Sequence, residues 1–177
     1  MERLHPAPVP AALVSCGTLE KPNALTIAWT GITCSDPPMT YISVRPERYS
    51  YDIIKKSGEF VINLTSGAMA RATDLCGVRS GREMDKLAAT GLTVEPAKEI
   101  AAPVIAQSPL ALECRVKQII PLGSHDMFLA EIVAVDVEER LLDEAGKLHL
   151  EKAGLMAYSH GEYFAMGKKI GSFGYSV

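Results

Sequence analysis

The sequence lacks closely spaced cysteines. Its four cysteines, Cys16, Cys34, Cys76 and Cys114, lie far apart, and no C-x-x-C pair occurs among them. Structural zinc sites and thioredoxin-like redox sites use closely spaced cysteines, so we predict neither kind of site and no bound metal. We expect Cys16, Cys76 and Cys114 to be reduced residues of the core, as is usual for a cytoplasmic protein.

Long apolar runs and an excess of positive charge are also missing. No run approaches the roughly 18 residues of a transmembrane helix. Residues 1–17 contain no basic region followed by an apolar one, which a signal peptide would have. The net charge is −3, whereas nucleic-acid-binding domains are usually basic. We therefore expect a cytoplasmic protein that binds neither membranes nor nucleic acid.

Several motifs of known chemistry are absent as well. The sequence contains neither a nucleotide-binding glycine fingerprint nor the H-E-x-x-H and G-x-S-x-G motifs of metalloproteases and hydrolases. Its four histidines, His5, His125, His149 and His160, are too scattered to indicate a metal cluster. Nothing in the sequence marks a hydrolytic nucleophile.

Short strand-like runs dominate what is present. The length of 177 residues predicts one domain, residues 1–177. AALVSCG (11–17) and ALTIAW (24–29) flank a turn-rich connection and predict a hairpin. MTYISVR (39–45) and EFVINL (59–64) predict two further strands.

The second half shows a clearer β pattern. Apolar and polar residues alternate in LALECRVKQI (110–119), and SHDMFLAEIVAVDVEE (124–139) predicts a long strand after a turn at Gly123. Helices are predicted at 49–58, ending at Gly58, and at 66–77, capped by Ser66 and stopped by Gly77. Without regular βαβ alternation, this order favours an antiparallel barrel or sandwich over a Rossmann sheet.

The last residues are unusually apolar for a chain end. The segment 157–177 is rich in glycine, tyrosine and phenylalanine. We expect it to pack on the body of the protein or on a partner subunit.

Three segments carry residues suited to ligand binding. In TIAWTGITCSDPP (26–38), small residues after Trp29 would let a flat ligand approach the backbone. SVRPERYSYDII (43–54) places arginines and hydroxyls at a helix start, where anions bind well. CGVRSGREMDKL (76–87) places cations in a short loop that could clamp a phosphate. Each also fits a plainer interpretation: a strand and turn, a capped helix with solvated arginines, or a polar surface loop.

Taken together, these segments resemble the flavin reductase-like family, especially its flavoredoxin branch. The paired strands ECRV and LGSHDMFLAEIVAV and the closing YSHGEYFAMGKKIGSFGYSV add to the resemblance, which runs from about residue 10 to the end. The resemblance implies a mainly β fold with a few short helices, the FMN-binding split β-barrel, with Greek-key antiparallel topology. It also implies a homodimer.

The resemblance implies a set of site residues. The flavin ring edge would be bordered by Trp29, Thr30, Gly31, Ile32, Thr33, Cys34 and Ser35. The phosphate and ribityl chain would contact Arg45, Arg48, Ser50, Tyr51, Ser80, Gly81 and Lys86. His125 would lie on the nicotinamide side of the flavin, although a turn histidine bonded to a neighbouring carbonyl fits equally well. Tyr158, His160 and Tyr163 would wall the flavin in, complete a neighbouring site, or simply pack.

The resemblance also implies a function. NADH or NADPH would pass a hydride to N5 of FMN, and the electrons would go on to an acceptor. The alternative is a non-enzymatic FMN electron carrier that a protein partner reduces. A third interpretation is a binding module without redox activity. The sequence does not choose between NADH and NADPH, and it does not identify the acceptor. It also leaves open whether FMN is a resident cofactor or a diffusible substrate.

Overall fold

The structure, a computed structural model, describes residues 7–177, which form twelve strands and three α-helices. The strands are β1 (Val9–Pro10), β2 (Ala12–Gly17), β3 (Pro22–Ile27), β4 (Thr30–Ser35), β5 (Pro38–Val44), β6 (Glu59–Leu64), β7 (Val94–Glu95), β8 (Val104–Ile105), β9 (Leu110–Pro121), β10 (Asp126–Val137), β11 (Met156–Ser159) and β12 (Glu162–Ala165). The helices are α1 (Tyr49–Ser57), α2 (Ala70–Val78) and α3 (Lys86–Thr90), with 3₁₀ turns at Gly67–Met69, Glu139–Leu141 and Leu150–Ala153.

A seven-stranded sheet forms the body, in the order β3-β2-β6-β9-β10-β5-β4. All its neighbouring strands run antiparallel. The connection from β5 to β6 runs through α1 and passes over the positions of β9 and β10, as in a Greek key. The predicted hairpin is present, with Ala12 opposite Ile27 and Gly17 opposite Pro22. The predicted mainly β, antiparallel fold is therefore confirmed.

The predicted strand 24–29 ends earlier than expected. Strand β3 stops at Ile27, residues 28 and 29 form a bend, and the following small residues make a separate strand, β4. The break arises because β3 pairs with β2, whereas β4 pairs with β5 at the opposite edge of the sheet. The Trp29 carbonyl accepts a hydrogen bond from the Ser43 amide at 2.9 Å, which fixes the start of the new pairing.

The two predicted helices are present with two corrections, and α3 (Lys86–Thr90) was not predicted. Helix α1 ends at Gly58, whose φ of 72° lies in the left-handed region that glycine favours. Helix α2 starts with a 3₁₀ turn, where the Ser66 side chain makes no capping bond, and it continues past Gly77 to Val78. Gly77 serves close packing rather than helix termination, since a Cβ there would lie 3.3 Å from the Cβ of Thr26.

The core lies on both faces of β2. Ala12, Val14 and Cys16 face a cluster that includes Ile54 of α1 and Phe60 of β6. On the other face, Leu13 packs with Met69, Cys76, Leu87 and Ile105. Cys16, Cys76 and Cys114 are buried and free, as predicted. Because strand residues alternate between faces, β2 joins α1 on one side to α2 and α3 on the other.

A three-stranded sheet, β1-β11-β12, carries the last part of the chain. Strands β7 and β8 form a separate small pair. Within residues 7–177, no helix combines the length and the apolar character needed to cross a membrane.

Candidate functional site

The two predicted anion-binding segments meet in one cavity of about 630 Å³. We call this cavity the basic basin. Its lining combines the residues after β5, the start of α1 and the loop after α2. The lining residues are Leu25, Arg45, Glu47, Arg48, Tyr49, Ser50, Arg79, Ser80, Gly81, Arg82, Glu83 and Lys86. Of the predicted phosphate and ribityl residues, only Tyr51 is missing from this lining.

The basic basin is locally cationic in a chain of net charge −3. Four arginines and one lysine line it, against two glutamates. A concave site lined mainly by one sign of charge concentrates ions of the opposite sign. The basic basin is therefore suited to an anion such as a phosphate group.

Lys86 is the most deeply buried cation of the basic basin. Its side chain is 5% exposed, and its Nζ donates to the Cys76 carbonyl at 3.3 Å. Burial lowers the pKa of Lys86 from its ordinary value. No ion pair is found for it among residues 7–177. A buried ammonium without a carboxylate partner is costly, and an anionic ligand would supply the missing charge.

Local structure explains how Lys86 reaches this position. Asp85 immediately precedes α3 and accepts a hydrogen bond from the Ala88 amide at 3.0 Å, which caps the helix. Lys86 is the first residue of α3, and Leu87 beside it packs in the core. The Asp85 cap before Lys86 and the core packing of Leu87 after it thus fix the backbone position from which the Lys86 side chain extends.

Ser50 is held by a residue that the sequence analysis did not single out. Asn23 of β3 donates from Nδ2 to the Ser50 Oγ at 2.6 Å, and both side chains are buried. Asn23 also lies 3.9 Å from the Cys16 sulfur. Burial raises the pKa of Cys16 to about 11, so this thiol stays protonated at neutral pH. An asparagine beside a proline is typical of a turn. The sequence pattern therefore indicated a turn position for Asn23 and not a contact with Ser50.

Gly81 is required by close packing. A Cβ at this position would lie 2.3 Å from the Asn23 Oδ1 and 2.7 Å from Tyr49 Cδ1. Only glycine fits this approach without displacing its neighbours. Since Asn23 also holds Ser50, the loop carrying Gly81 and the start of α1 are mechanically linked.

The arginines are anchored around the opening of the basic basin. Arg48 donates from Nη1 to the Gly77 carbonyl at 3.0 Å. Arg82 donates to the Glu47 carbonyl at 3.0 Å and lies over the Tyr49 ring at 5.3 Å. Arg45 pairs with Glu47 at 3.3 Å, in an exposed contact that solvent weakens.

The predicted flavin-edge residues form the edge strand β4 and the bend before it. Ile32, Thr33, Cys34 and Ser35 are exposed, and Trp29 is half-buried. In the described chain, β4 is the last strand of the sheet, so one side of its backbone has no strand partner. These amides and carbonyls are suited to hydrogen bonds along the edge of a flat ring.

Side chains on β4 are less available than the sequence indicates. The Thr30 hydroxyl donates to the Tyr41 carbonyl at 2.7 Å. The exposed Cys34 thiol donates to the Asp36 carbonyl at 3.4 Å. Gly31 lies against the Tyr41 ring, where a Cβ would come within 3.4 Å. Thr30 and Cys34 therefore offer backbone groups rather than free side chains, whereas the Thr33 and Ser35 hydroxyls lie on exposed residues.

A chain of contacts links β4 to the basic basin. Trp29 pairs through its carbonyl with Ser43, two residues before Arg45. On the other side, the Thr26 hydroxyl of β3 donates to the Thr73 carbonyl of α2. Gly77 of α2 packs on Thr26 and accepts from Arg48. The start of β4 and the arginines at the opening of the basic basin are thus held by the same elements.

Tyr51 lies outside the basic basin. Its hydroxyl donates to Asp126 Oδ2, and its ring meets Phe128 edge-on at 5.4 Å. The hydrogen bond to Asp126 raises the pKa of Tyr51. Consecutive helix residues point about 100° apart, so Tyr51 faces the core while Ser50 faces the basic basin.

His125 lies in the turn between β9 and β10. Its Nδ1 is 2.9 Å from the Ser124 hydroxyl. The next residue, Asp126, is paired with Val44, directly before Arg45. His125 is therefore at the same end of the sheet as Arg45 and Trp29, and its imidazole is half-buried.

The tail packs on the body as far as β12. Tyr158 and Tyr163 meet edge-on at 5.6 Å, and the Tyr163 hydroxyl donates to Asp74 of α2 at 3.3 Å. Burial, followed by the charge of Asp74, raises the pKa of Tyr163 to about 12. His160 occupies the turn between β11 and β12 with a φ of 48°.

An antiparallel sheet with a cationic cavity beside its edge strand defines a protein suited to binding an anionic ligand. A family model described as a flavin reductase like domain matches residues 3–167. The chain belongs to the flavin reductase-like family.

Solved structures of similar fold include a flavoredoxin, an enzyme and an FMN-binding protein. Flavoredoxin of Desulfovibrio vulgaris (Miyazaki F) superposes with a TM-score of 0.91 at 32% identity, covering 99% of this chain and 96% of that chain. The 2-nitrobenzoate 2-nitroreductase of Pseudomonas fluorescens gives 0.85 at 26% identity, covering 94% and 85%. The FMN-binding protein from Thermus thermophilus gives 0.82 at 27% identity, covering 95% and 92%.

Proposed function

We propose that the protein is an FMN-dependent oxidoreductase that takes reducing equivalents from NADH or NADPH and passes electrons to an acceptor. The observation that carries this proposal is the basic basin, where buried Lys86 has no ion-pair partner among the described residues and adjoins Ser50, Ser80 and Gly81. The family and the FMN-binding neighbour support a flavin as the anionic ligand. When bound, FMN supplies the redox chemistry itself.

The residues of the chain bind and orient the cofactor. Lys86 and the arginines of the basic basin balance the phosphate charge, while the Ser50 and Ser80 hydroxyls offer hydrogen bonds to the phosphate. The unpaired side of β4 borders the ring edge and fixes its direction. Thr30 supports this role indirectly, because its hydroxyl bond to Tyr41 keeps β4 against β5.

His125 is the proposed contact on the nicotinamide side. Its place beside Asp126 and Val44 brings it to the end of the sheet where β4 begins. The bond between Tyr51 and Asp126 ties this turn to α1. We therefore assign Tyr51 a positioning role for the His125 turn, in place of the phosphate contact first predicted.

A second candidate function is an electron carrier without its own dehydrogenase activity. The similarity to a flavoredoxin over 99% of the chain favours it. The exposed Ile32 on β4 also favours it, because an apolar side chain beside the redox site is suited to docking a protein partner. In this version a protein partner reduces the bound flavin.

We further propose that the protein forms a homodimer and acts in the cytoplasm. Support for the dimer comes from partly exposed apolar side chains on one face of the sheet, Met39 and Tyr41 of β5 and Leu129 of β10. A cytoplasmic location rests on the sequence alone.

An anaerobic reduction experiment tests the enzyme against the carrier. The protein is loaded with FMN, free flavin is removed by gel filtration, and NADH is added while the oxidised-flavin absorbance is followed. Bleaching with NADH or NADPH supports the enzyme. A retained yellow colour with both donors contradicts it and leaves the carrier. Loss of flavin on the column contradicts the carrier, and NADH or NADPH oxidation with added FMN then tests an enzyme that uses FMN as a diffusible substrate.

A further inference from the structure

The last residues of the chain form a separate arm. We define the arm as residues 166–177, which follow β12. Its apolar side chains have almost no contact with the body: Ile170 is 92% exposed, and Phe173 and Val177 are fully exposed. Monomeric proteins rarely leave so many large apolar side chains together in water.

The arm has a defined local shape. The Tyr175 amide donates to the Ser172 carbonyl at 2.9 Å, which closes a turn. The Tyr175 ring folds back over Gly171, where a Cβ would lie 2.6 Å from the ring. Phe173 is left at the tip. A preformed turn lowers the entropy cost of binding, and buried aromatic anchors often dominate interface energies.

A second exposed apolar surface lies on β4 and β5. We call β4 with the adjoining β5 the rim. Ile32 of β4 is 67% exposed, and Met39 and Tyr41 of β5 are only partly covered. The outer side of β4 has no strand partner in the described chain. Exposed sheet edges with apolar side chains are normally covered by another element.

Charge favours the arm as the element that covers the rim. The arm carries Lys168 and Lys169 and no carboxylate side chain. The turn between β4 and β5 carries the exposed Asp36, for which no ion pair is found among residues 7–177. Opposite charges on two surfaces steer their encounter and disfavour other partners.

We propose that the arm of one copy docks on the rim of a second copy, with Phe173 as its anchor. Because each chain carries both surfaces, a twofold-symmetric dimer places the arm of each subunit on the rim of the other. The inference rests on the proposed homodimer and names its contact. Because the rim includes β4, the arm of each subunit covers the flavin edge of the other.

Photocrosslinking tests the contact directly. Benzoylphenylalanine replaces Phe173 in the full chain, with the same substitution at exposed Leu19, in the turn between β2 and β3, as a control. After irradiation, position 173 should give a covalent dimer on a denaturing gel, linked to the peptide that contains residues 30–41. Crosslinks only within one chain, crosslinks to another region of the second copy, or no crosslink at position 173 would overturn the inference.

Two variants separate this inference from the homodimer itself. Phe173→Ala should raise the dimer dissociation constant at least about tenfold, and Ser172→Ala should leave it near the wild-type value, as measured by sedimentation. A chain ending at Ala165 gives the limit for loss of the whole arm. Unchanged dimerisation in Phe173→Ala and in the shortened chain would contradict the role of the arm while leaving the homodimer intact. A monomeric wild type would contradict both.

Discussion

Lys86 illustrates how one buried charge defines a binding site. Its ammonium group is held below the surface by α3 and donates only to a backbone carbonyl among the contacts described. Folding therefore carries a desolvation cost that the protein alone does not recover. A ligand phosphate recovers it, so the same residue is expected to lower stability in the free protein and raise affinity in the complex.

The first prediction is that Lys86→Met weakens FMN binding. Loss of one charge-assisted contact should cost about 1.5–3 kcal/mol, which is roughly one to two orders of magnitude in Kd. Fluorescence titration of FMN measures the affinity, with Lys21→Met as the matched exposed control. The free Lys86→Met protein should melt no lower than wild type, since the buried charge is gone. Equal affinity in the two variants would show that the phosphate binds elsewhere.

The second prediction is that Gly81→Ala damages both stability and binding. The added methyl group meets Asn23 and Tyr49 well inside van der Waals distance. Such overpacking typically costs about 1–3 kcal/mol. Because Asn23 holds Ser50, FMN affinity should fall as well. Gly67→Ala, where a Cβ meets nothing within 4 Å, is the control. Wild-type melting and titration curves for Gly81→Ala would contradict the packing argument.

At the scale of elements, the loop between β10 and β11 contains a cluster of His149, Asp143 and Glu151 whose charges depend on pH. We call this cluster the clasp. His149 lies 2.9 Å from Asp143 and 3.0 Å from Glu151. The hydrogen bond to Asp143, then the one to Glu151, raises the pKa of His149. In turn, His149 lowers the pKa of both carboxylates.

The third prediction concerns the pH range in which this clasp holds. The contribution of His149 is complete below its ordinary pKa of 6.5 and is lost as the pH rises through its raised pKa. The contributions of Asp143 and Glu151 are lost as the pH falls through their lowered pKa values. Hydrogen exchange in residues 142–152 should therefore be slowest at about pH 5–6, after correction for intrinsic rates. His149→Gln should remove this dependence on the alkaline side, and an unchanged profile would contradict the role of His149.

Strand β4 shows what a sequence pattern can and cannot establish about an element. The change from apolar to small residues after Trp29 correctly marked a distinct segment. The pattern could not show that these residues start a new strand, because pairing partners are set by the whole sheet. The hairpin of β2 and β3 needs only a local turn and was predicted correctly.

At the scale of the whole molecule, the sequence predicted the fold better than the individual contacts. The alternation in 110–119 and the absence of βαβ units led to the antiparallel sheet. Six of the residues predicted to hold the phosphate line one cavity, namely Arg45, Arg48, Ser50, Ser80, Gly81 and Lys86. The direction of Tyr51 and the support from Asn23 depend on packing between distant segments, which no local pattern reports.

The fourth prediction is that FMN stabilises the whole chain through its phosphate. A ligand that binds only the folded state at 100 times its Kd adds about 2.7 kcal/mol, or roughly 5–10 °C in Tm for a chain of this size. Riboflavin, which lacks the phosphate, should raise Tm much less at the same concentration. Thermal unfolding of the protein with each ligand gives the comparison. Equal shifts would mean that the basic basin does not hold the phosphate.

The bend between β3 and β4 has a geometric consequence for the shape of the sheet. These strands are its two outermost members, and six spacings of about 4.8 Å would separate them by roughly 29 Å if it were flat. Yet only Ala28 and Trp29 join them, and the three residue steps from Ile27 to Thr30 span at most about 11 Å. The sheet must therefore roll up until its margins nearly meet. Two residues thereby set the curvature of the body and keep β4 within reach of the elements that support the basic basin.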